Sequence, residues 1–500
     1  MGRMDRREFL ERAGGFVAVA GFSGPFRLAE KLRDPRLREL DKLVQGDVLG
    51  LDDSGYAAAR TVYSTRATSQ PFAIVFAESV RDVQRTLLWA RRHKLRIAPR
   101  SGGHSYGGYS LSTGVVVDVS RLHGIAVGQG NATIGAGAKL YDVVAALAQH
   151  GVTIPAGSCP TVGIAGLTLG GGVGYASRKL GLTCDSLQEV RIVTADGKLR
   201  IANAKVNPDL LWACRGGGGG NFGIVTSFRF RTHSVGPIAI YRAQWPWDQA
   251  RKVVAAWAGW APHAPDELFA VCDLIATDRR AAAPGPRLHV TSGGQFFGTP
   301  ERLQALLQQL FAVAGKPTQL TVQAKTLLGA AQEWAGCRDA ATCSAPERAT
   351  FKAKSWYVRK KLPGPAIDVL VQSLELRAAN PDLNRGAIYL DPMGGAINRV
   401  PKAASAFVHR DELVSIQAVA AWEATDPQRV ADANLTAQRA LADRLRPFVS
   451  GASYQNYIDP ELAGWAHAYY GANLPRLARV KRRYDPGDVF RFAQSVPLHL

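Results

Sequence analysis

Glycine is concentrated in three short segments of the sequence, and two residues that could act as nucleophiles lie in or beside them. The first segment, residues 99–108, reads PRSGGHSYGG and contains His104. The second, residues 163–174, reads GIAGLTLGGGVG and follows Cys159, and the third, residues 216–225, reads GGGGGNFGIV. Because glycine allows positive φ and lets backbone N–H groups approach an anion, three such loops predict a cradle for a nucleotide cofactor.

The loops differ from the two common phosphate-binding motifs. No Gly-Lys-Ser or Gly-Lys-Thr sequence ends any of the three clusters, which excludes a Walker loop. The stretch Gly172-Val-Gly174-Tyr-Ala-Ser177 lacks the third glycine of the dinucleotide fingerprint. One glycine loop alone would be typical of an ordinary turn, so the prediction depends on finding three together.

These motifs resemble the berberine-bridge-enzyme-like flavin oxidoreductases, which have the PCMH-type FAD-binding fold of vanillyl-alcohol oxidase. The resemblance covers about residues 65–235 and 385–497. The segments that carry it are Arg100–Tyr106, Cys159–Gly163, Gly170–Gly174, Tyr454–Asp459, Tyr469–Gly471 and Tyr484–Ser495. It implies an enzyme that binds FAD and oxidises a small molecule.

In that family FAD is held by two covalent bonds, from a histidine to the flavin 8α-methyl group and from a cysteine to C6. The matching positions are His104 and Cys159. An imidazole nitrogen and a thiolate are both nucleophiles, so both residue types suit this chemistry. Without the resemblance, His104 would be interpreted as a loop histidine bonded to backbone groups, and Cys159 as a packed thiol. Two tethers are expected to raise the flavin potential.

The resemblance also implies which residues surround the cofactor, and we predict no metal site. The predicted cofactor-binding residues besides His104 and Cys159 are Arg100, Ser101, Gly102, Gly103, Ser105, Thr161, Val162, Gly163, Gly166, Gly171, Gly172, Gly174, Asn221, Gly223, Ile224, Val225, Tyr454 and Asn456.

Substrate oxidation also needs a base that takes the hydroxyl proton while hydride passes to flavin N5. In carbohydrate-oxidising relatives this base is the tyrosine of an Asn-Tyr motif, which is Tyr457 here. A phenol with a pKa of about 10 needs a neighbour that stabilises the phenolate or accepts its proton. Asp391 is the predicted helper, although it could instead cap a turn, and Tyr106 is predicted to face the flavin. Each tyrosine could alternatively be an aromatic residue packed between domains.

Val162 matches a position that gates oxygen in the family, where valine is associated with oxidase behaviour. The resemblance therefore implies an oxidase that reacts with O2 and releases H2O2, acting on an alcohol or hemiacetal of a sugar or hydroxylated secondary metabolite. Two alternatives stay open. They are a flavin dehydrogenase with another electron acceptor and a non-catalytic flavin-binding protein.

Residues 1–35 resemble a twin-arginine export signal. Arg6-Arg7-Glu8-Phe9-Leu10 precedes a weakly apolar stretch that is too short to span a bilayer, which needs about 20 apolar residues. The alternative is an amphipathic N-terminal helix. We therefore predict a periplasmic or extracellular protein with no stable membrane insertion after processing. Cys337 and Cys343 can pair in that setting.

A formal net charge of +20 first suggests an anionic partner. The basic residues are scattered, however, and no long lysine or arginine block or zinc-finger spacing occurs. We interpret the charge as a solvated basic surface and predict no nucleic-acid partner.

Five hundred residues predict several packed units around these motifs. Short strands and helices alternate irregularly up to about residue 235, with a strand predicted at residues 95–98 that ends at Pro99. Longer apolar strands and amphipathic helices follow. The predicted fold is α+β, with a PCMH-type FAD-binding domain of two α/β subdomains at residues 36–235 and a substrate domain of antiparallel sheet covered by helices at 236–450. Residues 451–500 are predicted to return to the FAD domain.

Overall fold

The computed structural model describes residues 34–280 and 287–500. The predicted export signal therefore lies almost wholly outside the described residues. Among the helices in the described ranges, none is both long and apolar enough to cross a membrane.

Residues 34–118 form the first α/β unit. Its elements are α1 (Pro35–Leu43), β1 (Val48–Leu49), α2 (Tyr56–Ala59), β2 (Ala73–Phe76), α3 (Val80–Arg92), β3 (Ile97–Arg100) and β4 (Val115–Asp118). The strands form a sheet of order β1-β2-β4-β3, in which β2, β4 and β3 are parallel. Ser79 begins α3, because its hydroxyl accepts the N–H of Asp82 at 3.1 Å while the Asp82 carboxylate accepts the N–H of Ser79.

The strand predicted at residues 95–98 lies two residues further along the chain, at Ile97–Arg100. The prediction was wrong because it took Pro99 as the end of the strand. β3 is an edge strand of its sheet, and an edge strand tolerates the missing N–H of proline. This shift places Arg100 in the strand and starts the first glycine loop directly after it.

Residues 119–234 form the second unit. Its elements are β5 (Ile125–Gly128), β6 (Asn131–Gly135), α4 (Leu140–Ala148), β7 (Val152–Thr153), α5 (Ile164–Leu169), α6 (Ser177–Leu180), β8 (Leu187–Val193), β9 (Leu199–Asn203), α7 (Pro208–Cys214), β10 (Ile224–Arg231) and β11 (His233–Ser234). Five strands form an antiparallel sheet of order β5-β6-β10-β8-β9. The two units share one apolar core.

Residues 238–448 form a seven-stranded antiparallel sheet with helices on one face. Its elements are β12 (Ile238–Trp245), α8 (Ala250–Trp260), β13 (Leu268–Ala276), β14 (Leu288–Phe296), α9 (Pro300–Ala314), β15 (Gln319–Lys325), α10 (Leu327–Ala335), α11 (Ala340–Ser344), β16 (Thr350–Val358), α12 (Gly364–Ala379), β17 (Arg385–Pro392), α13 (Ala396–Arg399), β18 (Val414–Trp422) and α14 (Gln428–Leu445). The strand order is β15-β12-β14-β13-β17-β18-β16.

Side chains alternate across this sheet. Ile388 and Leu390 of β17 pack in the core beneath the helices, whereas Ala387 and Tyr389 face a second cluster that includes Tyr106 of the first unit. The face of the sheet that the helices leave open therefore lies against the first unit. The mixed α+β architecture and the helix-covered antiparallel sheet agree with the predicted fold class.

Two buried arginines form hydrogen bonds and an ion pair between the sheet domain, residues 238–448, and the second unit. Arg178 of α6 donates to the carbonyls of Leu268 and Pro262, both at 3.0 Å, and also to those of Ala264 and Met393. Arg410 forms a two-pronged ion pair with Asp185, at 2.8 and 2.7 Å. Buried arginines bonded in this way fix the relative position of the parts they join.

Cys337 and Cys343 form a disulfide whose Cα atoms lie 5.1 Å apart. Both cysteines are buried and pack against Tyr141 of α4. The cross-link thus closes a short loop of the sheet domain where that loop contacts the second unit. Cys184, Cys214 and Cys272 are buried thiols, as their apolar neighbours predict.

The chain ends with α15 (Trp465–Tyr470) and α16 (Leu474–Tyr484) and then returns to the third glycine loop. Lys481 is fully buried, and its ammonium donates to Asp485 at 2.7 Å and to the carbonyl of Asn221 at 3.0 Å. The Asn221 side chain accepts the N–H of Val496 at 2.8 Å. The C-terminal segment therefore packs against the third glycine loop.

Candidate active site

The three glycine loops meet the C-terminal segment around a cavity of about 280 Å³. Seventeen of the predicted cofactor-binding and catalytic residues besides His104 line this cavity, although they are separated by up to 357 positions in the chain. They are Arg100, Ser101, Gly102, Gly103, Ser105, Tyr106, Cys159, Val162, Gly163, Gly166, Asn221, Gly223, Ile224, Val225, Tyr454, Asn456 and Tyr457.

Five predicted site residues do not line the cavity. Thr161 lies behind His104, and a Cβ at Gly171, Gly172 or Gly174 would meet protein atoms 2.8, 2.2 and 1.8 Å away. These three glycines allow the loop to pack against the rest of the protein. Asp391 is buried in β17, on the face of the sheet that carries Tyr389.

Tyr63 and Thr161 fix the position of the His104 ring. Its ring stacks on Tyr63, with centroids 4.4 Å apart and an interplanar angle of 16°. Its Nε2 lies 3.0 Å from the hydroxyl of Thr161, and Nδ1 has no hydrogen-bond partner among the described residues. Burial lowers the pKa of His104 to about 3, and the charge of Lys139 adds to this effect. The imidazole is therefore neutral, with one nitrogen available as a nucleophile.

Cys159 lies in the loop that precedes α5. It is exposed and is not part of a disulfide bond. Its carbonyl accepts the N–H of Val162 at 3.3 Å, which forms a tight turn. The turn presents Cys159 and Val162 to the same cavity that His104 lines. A ligand in this cavity can therefore contact the imidazole and the thiol together.

Tyr106 and Tyr457 both line the cavity, and their rings stack on each other. Their rings are nearly parallel, at 10°, with centroids 5.7 Å apart, and Tyr454 meets Tyr457 edge-on at 5.0 Å. The side-chain amide of Gln417 in β18 donates to the Tyr106 hydroxyl at 3.2 Å. Two phenols and an amide thus form a polar group at the cavity.

The C-terminal motif joins two of the glycine loops. The Tyr454 hydroxyl accepts the N–H of Gly172 at 3.0 Å and the amide of Asn456 at 2.9 Å. Asn456 also donates to the carbonyl of Leu167 at 3.1 Å, and Gln455 donates to that of Gly216. Burial raises the pKa of Tyr454, so this phenol stays neutral and serves as a hydrogen-bonding support.

Two predicted cofactor residues use their side chains within the protein. The Arg100 guanidinium forms a buried ion pair with Asp118 and donates to the carbonyl of Ala59 at 2.7 Å. The Asn221 amide donates to the carbonyl of Gly217 at 3.0 Å. Both side chains therefore hold the cavity wall in shape.

The cavity fits a large polar ligand in two respects. A Cβ built at Gly166 would meet no protein atom within 4 Å, and one at Gly219 would only touch atoms 4.0 Å away, so their lack of side chains leaves space on the cavity side. Among the described residues, Gln494 Oε1 and Ser110 Oγ are buried in the cavity wall without hydrogen-bond partners. Buried polar atoms are normally satisfied, so these two indicate contacts to a polar ligand such as FAD.

The sequence reasoning missed Tyr63, Gln417 and Gln494. Gln417 had a usable signal, because it is a single amide in the otherwise apolar strand VSIQAVAAW. Tyr63 had none, because its position depends on contacts between distant segments. Gln494 lies in the C-terminal segment Tyr484–Ser495 that carries the resemblance, but nothing in that segment distinguishes it from its neighbours.

Comparison with known proteins gives consistent matches. The family described as FAD binding domain matches residues 71–203, and the family described as Berberine and berberine like matches residues 453–497. The FAD-linked oxidoreductase YgaK of Bacillus subtilis (strain 168) is 35% identical over 459 residues, which is 90% of this chain and 97% of that protein.

Solved structures show the same fold. Physcomitrella patens BBE-like 1 superposes with a TM-score of 0.84 and 32% identity, covering 93% of this chain and 99% of that one. A xylooligosaccharide oxidase from Myceliophthora thermophila C1, in complex with xylobiose, has a TM-score of 0.82 and 26% identity, covering 92% and 99%.

Proposed function

Because the chain belongs to the berberine-bridge-enzyme-like family of FAD-linked oxidoreductases, we propose that it oxidises a CH–OH group of a sugar or hydroxylated secondary metabolite with a bicovalently bound FAD. The observation that carries the proposal is that His104, Cys159, Tyr106 and Tyr457 line one cavity with the three glycine loops. When bound, FAD supplies a hydride acceptor.

His104 and Cys159 are the proposed tethers. The neutral imidazole presents Nδ1 while Thr161 and Tyr63 fix the orientation of the ring. Cys159 approaches the same cavity from a separate loop. Two bonds from two loops would hold the cofactor against rotation as well as dissociation.

Tyr457 is the proposed base that takes the hydroxyl proton of the substrate. Tyr106 lies parallel to it, and Gln417 fixes the hydroxyl of Tyr106, so that the two phenols can orient a hydroxylated substrate between protein and cofactor. Asp391, the predicted helper, lies behind this wall on the same face of the sheet and lines no part of the cavity in the described residues.

O2 is the proposed electron acceptor, with H2O2 as product. Val162 lines the cavity beside Cys159, which supports the predicted oxygen access. The similarity to a xylooligosaccharide oxidase whose structure contains xylobiose supports a carbohydrate substrate here. A dehydrogenase with another acceptor is the alternative, and a non-catalytic flavin-binding protein is a second one.

We also propose that the protein is exported. The twin-arginine pattern of residues 6–7 supports this, and so does the disulfide between Cys337 and Cys343, because disulfides persist in oxidising compartments.

The test is to mix the purified holoprotein anaerobically with a panel of sugars and aromatic alcohols, and then to admit air. We expect bleaching of the flavin absorbance by at least one sugar and rapid recovery with H2O2 formation. Bleaching followed by recovery only with an artificial acceptor would indicate a dehydrogenase. No bleaching by any alcohol would contradict the proposed function.

A further inference from the structure

A row of polar side chains leads away from the cavity along the sheet. In the register of β16, β18 and β17, Tyr357, Ser415 and Asp391 lie directly opposite one another. Residues two apart on a strand share a face and lie about 7 Å apart, so this row neighbours Gln417, which bonds Tyr106 at the cavity. The row thus begins next to the two tyrosines of the site.

Tyr357 occupies one end of this row. It is 1% exposed, and its hydroxyl has no hydrogen-bond partner in the part of the chain that the structure describes. Burial raises the pKa of Tyr357 well above its ordinary value, and the charges of Tyr454, Glu412, Tyr457 and Asp391 raise it further. Tyr357 is therefore a neutral phenol within electrostatic reach of both the proposed base and Glu412.

Glu412 lies one step further towards the surface. Its side chain is fully buried, Oε1 accepts from Arg359 Nε at 3.0 Å, and Oε2 has no partner among the described residues. Burial raises the pKa of Glu412 to about 7, opposed by Arg359 and Lys402 and reinforced by Asp411. Arg359 is 48% exposed, so the row ends at solvent.

His409 closes the cluster from the other side. Its ring stacks on Tyr357 at 4.6 Å, and its Nε2 lies 3.0 Å from the carbonyl of Tyr469, which makes Nε2 the protonated nitrogen. Nδ1 is then a buried acceptor with no partner among the described residues. Burial lowers the pKa of His409 to about 3, so the imidazole stays neutral. Buried polar atoms without a protein partner are normally bonded to ordered water, so the Tyr357 hydroxyl, Glu412 Oε2 and His409 Nδ1 are each positions for a bridging water molecule.

We propose that Glu412 receives the proton released at Tyr457 during substrate oxidation, with Tyr357 as the relay and Arg359 at the solvent end. The inference rests on the proposed function, which supplies the proton. The substrate O–H bond breaks and its proton passes to Tyr457, while the C–H bond breaks and its hydrogen leaves with both electrons as a hydride, for which bound FAD would be the acceptor. Tyr457 passes a proton to Tyr357, and Tyr357 passes its own to Glu412 Oε2. One O–H bond forms on Glu412, whose negative charge disappears.

A purely structural role predicts different behaviour. A buried carboxylate beside one arginine is costly, so Glu412 could simply anchor the loop before β18. If Glu412 only held this loop in place, the rate of flavin reduction would not depend on whether its carboxyl group is protonated, as long as the hydrogen bond from Arg359 is kept. Glutamine keeps that bond acceptor and removes the titration, so Glu412→Gln separates the two roles.

The first measurement is the anaerobic rate of flavin reduction against pH. An ionised Glu412 can accept a proton, so the wild-type rate should fall as the pH decreases through about 7. In Glu412→Gln this inflection should vanish and the rate at alkaline pH should fall by about 10-fold. Asp411→Asn removes the adjacent exposed carboxylate, whose charge raises the pKa of Glu412, so this control should keep the wild-type rate at alkaline pH and shift the inflection to lower pH without abolishing it. A Glu412→Gln variant with the wild-type rate and inflection would overturn the proposal.

The second measurement is infrared spectroscopy of the carboxylic acid C=O stretch, which needs no turnover. A band that titrates near pH 7 should be present in wild type and Tyr357→Phe and absent from Glu412→Gln. Tyr357→Phe should nevertheless reduce flavin as slowly as Glu412→Gln. Absence of the band from wild type would overturn the relay while leaving the proposed function intact. A wild-type flavin that no alcohol reduces would refute the proposed function, and the relay with it.

Discussion

In the proposed mechanism, Tyr457 is the single side chain of the cavity on which the reaction most depends. Its ring lies parallel to Tyr106 at 5.7 Å and perpendicular to Tyr454 at 5.0 Å, in a wall made by three distant segments. The two neighbouring phenol rings hold the Tyr457 ring in place at the cavity.

Replacing Tyr457 by phenylalanine should slow flavin reduction by about 10²-fold or more, because general-base catalysis is lost while the ring packing is kept. Stopped-flow reduction by the best sugar of the panel measures this. Tyr141→Phe, at the disulfide and outside the cavity, is the matched control and should reduce at the wild-type rate. Unchanged reduction in Tyr457→Phe would remove this residue from the mechanism.

At this scale the sequence predicted many of the residues that line the cavity but not the side chains that support them. His104, Cys159 and Tyr457 belong to local motifs, so their residue types and neighbours are visible in the chain. Tyr63 stacks on His104 from 41 positions away, and Gln417 reaches Tyr106 from 311 positions away. Contacts across such separations have no local signature.

The glycine loops illustrate how elements shape the cavity. The same residue type serves two opposite purposes: Gly163 lets two loops touch, since a Cβ there would lie 2.1 Å from the Ser101 hydroxyl, whereas Gly166 leaves space on the cavity side. The sequence predicted that the loops form a cradle. It could not separate packing glycines from ligand-facing ones, because that depends on what lies opposite.

Gly166→Leu should lower the flavin content of the purified protein without lowering the melting temperature of the protein moiety. Its side chain would enter open space, and a helix gains about 0.5–1 kcal/mol when glycine is replaced by alanine. Gly163→Ala should instead cost about 1–3 kcal/mol of unfolding free energy, because backbone atoms at 2.3 Å must move. Flavin absorbance per chain and calorimetry measure both. If Gly166→Leu bound as much flavin per chain as wild type, the cofactor would not occupy the space beside this residue.

For the whole molecule, the two parts are joined by small apolar clusters and by buried polar contacts. The FAD-binding units and the sheet domain have separate main cores, and Arg178 crosses between them to four backbone carbonyls. No periodicity in the sequence distinguishes Arg178 from the many surface arginines. The net charge of +20, by contrast, corresponds to no single site in the described structure.

Arg178→Met should loosen this junction, because each buried carbonyl left without a donor costs about 1–3 kcal/mol. We expect calorimetric unfolding to shift to lower temperature and to separate into two transitions, one for each part. Lys179→Met changes the neighbouring, partly exposed residue, and this control should unfold as wild type does. A single unshifted transition in Arg178→Met would mean that other contacts hold the two parts together.

The central claim is that His104 and Cys159 both bind the flavin in this cavity. The most direct test is to precipitate the purified protein with acid and determine whether the flavin stays with the chain. A yellow pellet is expected for wild type, His104→Ala and Cys159→Ala, since one bond remains in each single variant. Only the double variant should give a colourless pellet and a yellow supernatant. Release of the flavin from acid-precipitated wild-type protein would contradict the account.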